Sequence, residues 1–384
     1  MFDPRDPVFL ADPYPEFARL RADGEVHAHE GLGLAIAVSH AAASAVLRDR
    51  ALGRIWSDAQ PAEQFVSFNL LHRNSLLENE PPAHTRLRRS IAGAFGRGHV
   101  ERLRPTVARL ADRMVAELAE RGEGDLLDQL AQPLPVAVIA ELLDIPEADR
   151  PRLVPWSNAI VKMYEYGLPP EGQQAAERAA KEFTDYLRAI TEERRREPGE
   201  DLVSDLARSD LTGDEVVATA VLLLMAGHEA TVNVIGNGVW ALLRHPDQWR
   251  RLCEDPALLD TCVEELIRYD SPLQLFERTA TEDVEIAGFR VGKGEKIAAL
   301  LGAAGRDPKV FDEPGKLDIG RKPNAHLGFG AGIHYCVGAP LARIEIAAAL
   351  RALTTRLPGL HLTGEPRRRP EFVIRGLRTL PVSA

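Results

Sequence analysis

Apolar residues in this chain recur mostly with the spacing of an α-helix. Between positions 100 and 122 they lie on one helical face, at Leu103, Val107, Leu110, Met114 and Leu118. The segment 172–198 repeats the pattern at Ala176, Ala180, Phe183, Leu187 and Ile190. It ends in three arginines followed by Pro-Gly, as helices commonly end. Both segments are therefore predicted to be long helices.

Strand patterns are few and short. They fall at 31–38, at 284–299 and within the last fifteen or so residues, while 305–322 is rich in Pro, Gly and Asp and predicts a long irregular loop. No repeat or low-complexity linker divides the 384 residues. The pattern predicts a single domain, 1–384, that is mainly α with small β-sheets.

Composition and charge narrow the class of protein. Hydrophobic residues at 45% and charged residues at 27% are typical of a soluble globular chain, and a net charge of -10 argues against nucleic acid as a partner. The first residues lack the basic and apolar regions of a signal peptide, and the longest apolar run, 216–227, is too short to span a bilayer. We therefore expect a cytoplasmic protein that uses no membrane.

One cysteine lies in a loop punctuated by glycines. Cys336 follows Gly330 and Gly332 and precedes a helix-forming stretch, 339–353. Glycines allow backbone N–H groups to approach the sulfur, and the amino end of a helix adds partial positive charge. Both favour the thiolate, which a soft metal binds, although a lone cysteine is more often a small buried apolar residue. Cys253 and Cys262 form no metal-binding or disulfide pattern with it and are interpreted as packing residues.

The loop resembles the haem-ligand signature of the cytochrome P-450 family, Phe-Gly-x-Gly-x-His/Arg-x-Cys-x-Gly, at every specified position. The resemblance covers essentially the whole chain and implies the family's fold, with haem between a long central helix and the cysteine-loop helix. It implies haem b as cofactor, with Cys336 as axial thiolate. The same signature makes Phe329, Gly330, His334 and Gly338 haem-binding residues.

A second motif lies in the predicted central helix. Thr212-Gly213-Asp214-Glu215 is a capping box that starts this helix, and small Ala226 and Gly227 leave room for a flat group against it. Glu229 is a carboxylate in an apolar helix, which is costly to bury unless it has a partner. The segment Ala226–Thr231 resembles the family's oxygen-activation motif, so Glu229 would supply protons during oxygen activation, and Ala226 would contact the haem.

The chain departs from that motif at Ala230, where the family has threonine. Alanine has no hydroxyl, and Thr231 is turned by about 100° relative to it on a helix. Three explanations remain open: a substrate hydroxyl or a held water completes the proton relay, the chain is an engineered Thr→Ala variant, or the enzyme does not depend on the usual oxygen activation.

Basic residues in three distant segments match the family's contacts to the haem propionates. His84 and Arg88 are four residues apart, on one face of a helix predicted to begin after Pro81-Pro82. Without other information, such a pair is usually exposed on the protein surface and has no specific role. The resemblance assigns both to the propionates, together with Arg278 and His334.

A further pattern is structural. Glu265 and Arg268 are three residues apart, a spacing common on exposed helices. They match the family's Glu-x-x-Arg pair, with Arg321 as the third member. The resemblance implies a buried three-way ion pair that fixes the loop 305–322.

The resemblance implies a haem monooxygenase that inserts one oxygen atom from O2 into a small, mostly apolar substrate. Because no flavin domain or iron–sulfur spacing is evident, electrons would come from NAD(P)H through an external ferredoxin and ferredoxin reductase, with Arg86, Arg89 and Arg343 as candidate contacts. The alternatives are a peroxide-driven peroxygenase, or a haem-binding sensor or carrier without turnover.

Pocket residues follow only from position in the family's pattern. They are Leu222, Met225, Gln274, Phe276 and Ile374. This mixture is mostly apolar, as ligand pockets usually are, but it describes plain core equally well. Neither the substrate, the site of oxidation nor the oligomeric state follows from the sequence.

Overall fold

The computed structural model describes residues 1–384, with the side chain of Arg97 excepted. The chain forms two compact units: residues 1–53, 103–134 and 230–384 form the first, and residues 54–102 and 135–229 the second. Helices account for 58% of the residues, which confirms the predicted mainly α class. The single-domain assignment stays a prediction.

Fifteen α-helices are present among the described residues. They are α1 Pro7–Ala11, α2 Tyr14–Asp23, α3 His40–Arg48, α4 Val66–Arg73, α5 Ala83–Ala92, α6 Arg97–Arg121, α7 Pro133–Leu142, α8 Arg150–Val161, α9 Pro170–Arg196, α10 Leu202–Arg208, α11 Gly213–Leu243, α12 Pro246–Glu254, α13 Leu259–Tyr269, α14 Leu301–Ala304 and α15 Ala339–Arg356.

Twelve short strands are described, all in the first unit. They are β1 Val26–His29, β2 Leu34–Ala37, β3 Leu52–Gly53, β4 Glu123–Asp125, β5 Leu275–Ala280, β6 Val284–Ile286, β7 Phe289–Val291, β8 Lys296–Leu300, β9 His361–Leu362, β10 Arg367–Arg368, β11 Leu377–Thr379 and β12 Pro381–Ser383.

The largest sheet has the strand order β1-β2-β8-β5-β3. Only β2 and β8 pair in parallel, with Ala35 opposite Ile297, and the other neighbours are antiparallel. Alanines and branched aliphatic residues pack this sheet against α3, and Leu327 and Ala331 belong to the same buried cluster. The segment that leads into the cysteine loop is therefore anchored in a hydrophobic core.

The predicted long helices are present. The stripe over 172–198 becomes α9, with all five named apolar residues buried, and the stripe over 100–122 becomes α6. In the second unit α9 packs with α8, where the Trp156 and Phe183 ring centroids are 5.0 Å apart. The segment 305–322 has neither helix nor strand beyond the end of α14, as predicted.

The capping box at the start of α11 is confirmed. Glu215 N donates to Thr212 Oγ1 at 3.2 Å, and Thr212 N donates to Glu215 Oε2 at 2.8 Å. The helix has the length and composition to cross a membrane, but 78% of its most apolar window is buried inside the protein. A buried core helix passes the same test of length and composition, so the test does not identify α11 as a membrane span.

A buried charged cluster joins distant parts of the first unit. Asp270 accepts hydrogen bonds from three side chains: Tyr14, Arg368 and Arg375. Arg375 also donates to the carbonyl oxygens of Leu10 and Ala11. Both ends of the chain are thus attached to the carboxyl end of α13.

Candidate active site

The cysteine loop is a tight turn that leads directly into α15. Gly330 and Gly332 both have φ of 70°, in the left-handed region that favours glycine. A Cβ at Gly332 would also lie 2.5 Å from the Leu47 carbonyl oxygen, so only glycine fits there. Cys336 N donates to Phe329 O at 2.9 Å, and the Cys336 residue is exposed. The loop therefore presents this cysteine just before the amino end of α15.

The other two cysteines have different surroundings. Cys262 is buried in α13, and burial raises the pKa of its thiol. Burial, together with the neighbouring charge of Glu254, also raises the pKa of the Cys253 thiol. Both stay protonated at neutral pH, which agrees with their interpretation as packing residues.

Glu265, Arg268 and Arg321 form a three-way ion pair. Arg268 donates twice to the Glu265 carboxylate, at 2.7 and 2.6 Å, and Arg321 Nε lies 3.1 Å from Glu265 Oε2. Glu265 and Arg268 have side chains that are 0% exposed. Asn324 and the Asp318 backbone N–H also donate to Glu265, so its oxygens are fully used.

The arginines of this ion pair hold the irregular loop through its backbone. Arg268 donates to the carbonyl oxygens of Gly305, Pro314 and Lys316, at 2.7 to 3.2 Å. Arg321 donates to the Asp312 carbonyl oxygen at 2.7 Å. These four carbonyl groups, which belong to a loop without secondary structure, thereby have hydrogen-bond donors from the two arginines.

Two of the three candidate partner-binding arginines are engaged within the protein. Arg86 forms a bidentate ion pair with Glu215, the residue that also caps α11. Arg343 forms another with Glu264, at 2.6 and 2.9 Å. Both side chains are ion-paired but about a third exposed, at 34% and 36%, so their contact with a redox partner stays a prediction. Arg89 is exposed on α5.

The four predicted propionate contacts are distributed over both units. His84 and Arg88 lie on α5 of the second unit, where His84 is buried and Arg88 half-buried. In the first unit, Arg278 is buried on β5 and His334 lies within the cysteine loop. Their role towards a propionate stays a prediction.

A small residue, Ala226, is exposed in the middle of α11, a helix whose other residues are mostly buried. Ala226 is exposed, and Leu222 and Ala230, four residues to either side on the same face, are half-buried. Gly227 lies against α7, where a Cβ would come within 2.8 Å of Ile139. Glu229 is buried, with its Oε1 3.8 Å from His228 Nε2.

Glu345 is a buried acid that the sequence reasoning missed. It lies on α15, nine residues after Cys336, and shares a side-chain hydrogen bond with Thr231. Burial raises the pKa of this carboxyl well above its usual value, against the smaller lowering effect of Thr231. Among the described atoms its Oε1 has no hydrogen-bond partner. The available signal was a carboxylate between Ile344 and Ile346 in an apolar helix.

The predicted pocket residues divide into two groups. Leu222 and Phe276 are half-buried, whereas Met225 and Ile374 are buried. Gln274 is 0% exposed, because its Nε2 donates to the Ser271 carbonyl oxygen at 2.7 Å and its amide packs on Gly302. The assignment of Gln274 and the other four residues to the pocket wall stays a prediction.

Comparison with known proteins identifies the family of this chain. The family model for cytochrome P450 matches residues 40–357. The chain is 41% identical to cytochrome P450 monooxygenase PikC of Streptomyces venezuelae, over 97% of this chain and 91% of the relative. It is 39% identical to 6-deoxyerythronolide B hydroxylase of Saccharopolyspora erythraea, over 79% of this chain and 76% of the relative.

A solved structure gives the same result for the fold. P450BioI in complex with an acyl carrier protein carrying hexadec-9Z-enoic acid superposes with a TM-score of 0.95. The two chains are 34% identical, and the match covers 98% of this chain and 99% of the other. The chain belongs to the cytochrome P450 family.

Family membership makes the protein an oxidoreductase that incorporates oxygen, with a haem whose iron takes a cysteine thiolate. A non-catalytic sensor or carrier does not agree with this result. The cysteine loop of the first unit fits such a group, since Cys336 is exposed in a glycine turn just before the amino end of α15. The family also implies a redox partner and a small-molecule substrate.

Proposed function

We propose that the protein is a monooxygenase whose haem iron is bound by Cys336. The supporting observation is the cysteine loop, where two glycines at positive φ and a following helix present one exposed sulfur while the other two thiols are held protonated. A thiolate-bound haem activates oxygen by favouring cleavage of the O–O bond. His84, Arg88, Arg278 and His334 would hold its propionates.

Two acids are candidates to hold the protons that oxygen activation consumes. Burial raises the pKa of Glu345 and so favours its protonated form, and Thr231 is hydrogen-bonded to it. Thr231 can pass a proton by donating with its own hydrogen while accepting another. Glu229 lies beside His228 on α11. The Thr231–Glu345 pair would compensate for the hydroxyl that Ala230 lacks.

The substrate is proposed to be a mostly apolar product of secondary metabolism. Leu222, Met225, Phe276 and Ile374 are apolar, as the lining of such a pocket would be. The relative that hydroxylates 6-deoxyerythronolide B is 39% identical, which supports a substrate of this class. The structural neighbour bound to an acyl carrier protein makes a carrier-bound acyl chain the second candidate.

Electrons are proposed to come from NAD(P)H through a ferredoxin and its reductase in the cytoplasm. Arg89 is the most exposed of the three candidate contacts for an acidic partner, since the Arg86 and Arg343 side chains are ion-paired and about a third exposed. A peroxygenase that uses peroxide directly is the second candidate function, and the absence of a hydroxyl at Ala230 is the observation that favours it.

Turnover with two oxidant systems tests these proposals. Product with ferredoxin, reductase and NAD(P)H, and little with peroxide alone, supports the monooxygenase, and the reverse supports the peroxygenase. The Cys336→Ala variant should lose the thiolate band of the reduced, CO-treated protein. If that band persists in the variant, Cys336 is not the ligand.

The relay is tested by the product formed per NAD(P)H consumed. Thr231→Val should lower this ratio by about tenfold or more, as loss of a positioned proton-transfer group commonly does. Ala230→Thr should change it by no more than about twofold, since the relay is already complete. A large gain in Ala230→Thr, with no loss in Thr231→Val, would contradict the proposed relay.

A further inference from the structure

Two adjacent carboxylates on α13 serve different parts of the first unit. Glu265 binds Arg268 and Arg321, as described above. Glu264, turned by about 100° around the same helix, binds His326 and Arg343 instead. These last two residues lie on opposite sides of the cysteine loop in the sequence.

The contacts to Glu264 are short and directional. Arg343 Nε donates to Glu264 Oε1 at 2.6 Å, and its Nη2 donates to Oε2 at 2.9 Å. His326 Nε2 lies 3.0 Å from Glu264 Oε2, while its Nδ1 accepts from Gly328 N at 3.1 Å. Burial raises the pKa of Glu264, but the hydrogen bonds from Arg343 and His326 outweigh it and lower that pKa to about 2. Glu264 is therefore ionised at neutral pH.

Arg343 also contacts the cysteine loop directly. Its guanidinium carbon lies 4.4 Å from the centre of the Phe329 ring, within the range of a cation–π contact. The Phe329 carbonyl oxygen accepts the hydrogen bond of the Cys336 N–H at 2.9 Å. Arg343 thus packs on the residue to which the backbone of the cysteine is hydrogen-bonded, and its Nη1 is 3.5 Å from the Tyr335 hydroxyl.

We propose that Arg343, held by Glu264, is a positioning residue for the axial thiolate. This inference rests on the proposed ligation by Cys336. The ion pair ties the segment before the loop and the helix after it to one point on α13, and the arginine plane supports the Phe329 side of the turn. Arg343, whose side chain is 36% exposed, is thereby given a role within the protein beside its predicted role as a redox-partner contact.

The test compares holoprotein variants by the thiolate band of the reduced, CO-treated state. In R343Q the fraction of protein that lacks this band should rise several-fold, because the loop loses its support. E264Q should also raise this fraction, and the effects of the two substitutions should be less than additive in the double variant, since both remove the shared Arg343–Glu264 ion pair. R343K, which keeps the charge but not the bidentate plane, should be intermediate.

A matched control lies on the same helix. Arg356, the last residue of α15, forms a bidentate ion pair with Asp112, at 2.6 and 2.7 Å, and it lies about 25 Å along the helix from the first residue, Ala339, at the usual helical rise. R356Q should keep the wild-type band. Amide exchange of the 326–338 backbone provides a second readout, and it should be faster in R343Q than in R356Q.

The outcomes separate the two proposals. A wild-type protein without the thiolate band refutes ligation by Cys336 itself. A wild-type band that R343Q and E264Q both retain, with unchanged amide exchange, refutes the role of Arg343 alone. If R343Q does not fold, E264Q and R343K decide the question, because both nearly preserve side-chain size.

Discussion

Glu345 shows how the surroundings of one residue set its protonation. Because its carboxyl is buried on α15, its pKa is raised well above the usual value. In the unfolded chain the same group titrates near its ordinary pKa of about 4.3. Between these two values the unfolded state binds fewer protons than the native state, so the contribution of Glu345 to stability falls as pH rises through that window.

Replacing Glu345 by glutamine should therefore stabilise the protein at neutral pH. Glutamine has nearly the same shape and cannot ionise, so the advantage of E345Q should grow by up to about 1.4 kcal/mol for each pH unit above the unfolded pKa. Unfolding by denaturant at pH 5, 6 and 7 measures this difference. An advantage that does not depend on pH would mean that Glu345 is ionised in the native state.

At the scale of helices and loops, the exposed Asp318–Arg251 ion pair and the buried Arg268–Glu265 ion pair should contribute differently to stability. The Asp318–Arg251 pair is exposed, with Arg251 Nη1 3.0 Å from Asp318 Oδ1, whereas Arg268 and Glu265 are fully buried. Removing one member of a buried pair leaves the other charge without compensation. Exposed pairs contribute little, because water screens them.

The Arg268→Ala variant should lose about 3–5 kcal/mol of unfolding free energy and should incorporate less haem on expression. Arg251→Ala, in a neighbouring helix, should lose less than about 1 kcal/mol. Denaturant unfolding and the ratio of haem to protein absorbance check both variants. Normal haem loading in Arg268→Ala would contradict the predicted structural role of this ion pair.

The sequence predicted long elements well and short ones poorly. Helices α6, α9 and α15 repeat apolar residues over several turns, so the period identifies them without tertiary information. Strands β3, β9 and β10 have two residues each and exist because distant partners pair with them. No local pattern specifies such pairing.

The same distinction applies to the site. Cys336 and the Glu265–Arg268 pair were identified because their motifs are contiguous. Glu345 was missed, because whether a charged residue on α15 is buried depends on what packs against that side of the helix.

In the first unit as a whole, residues from both ends of the chain bind one buried carboxylate, that of Asp270. Burial raises the pKa of Asp270, but the charges of Arg375 and Arg368, together with hydrogen bonds from Tyr14 and Arg375, outweigh it and lower the pKa below its usual value. The stability this group contributes is therefore present above the unfolded pKa, and it is lost as pH falls through the lower native value.

The Asp270→Asn variant should lose about 3–5 kcal/mol at neutral pH, since it leaves two buried arginines without their counter-charge. Asp283→Asn removes the exposed pair with Arg290 and should change stability by no more than about 0.5 kcal/mol. Denaturant unfolding at pH 7 measures both, and at pH 3 the two variants should differ less. Equal stability of the variants at pH 7 would show that the cluster is not what joins the chain ends.

Segment 305–322 is held by groups that every amino acid possesses. Arg268 and Arg321 grip the carbonyl oxygens of Gly305, Asp312, Pro314 and Lys316, and not their side chains. Substitutions at 312, 314 and 316 should therefore be tolerated, in evolution or in a designed library. Insertions and deletions in this segment should not be tolerated, since a change of one residue would move these carbonyl oxygens out of hydrogen-bonding distance of the arginines.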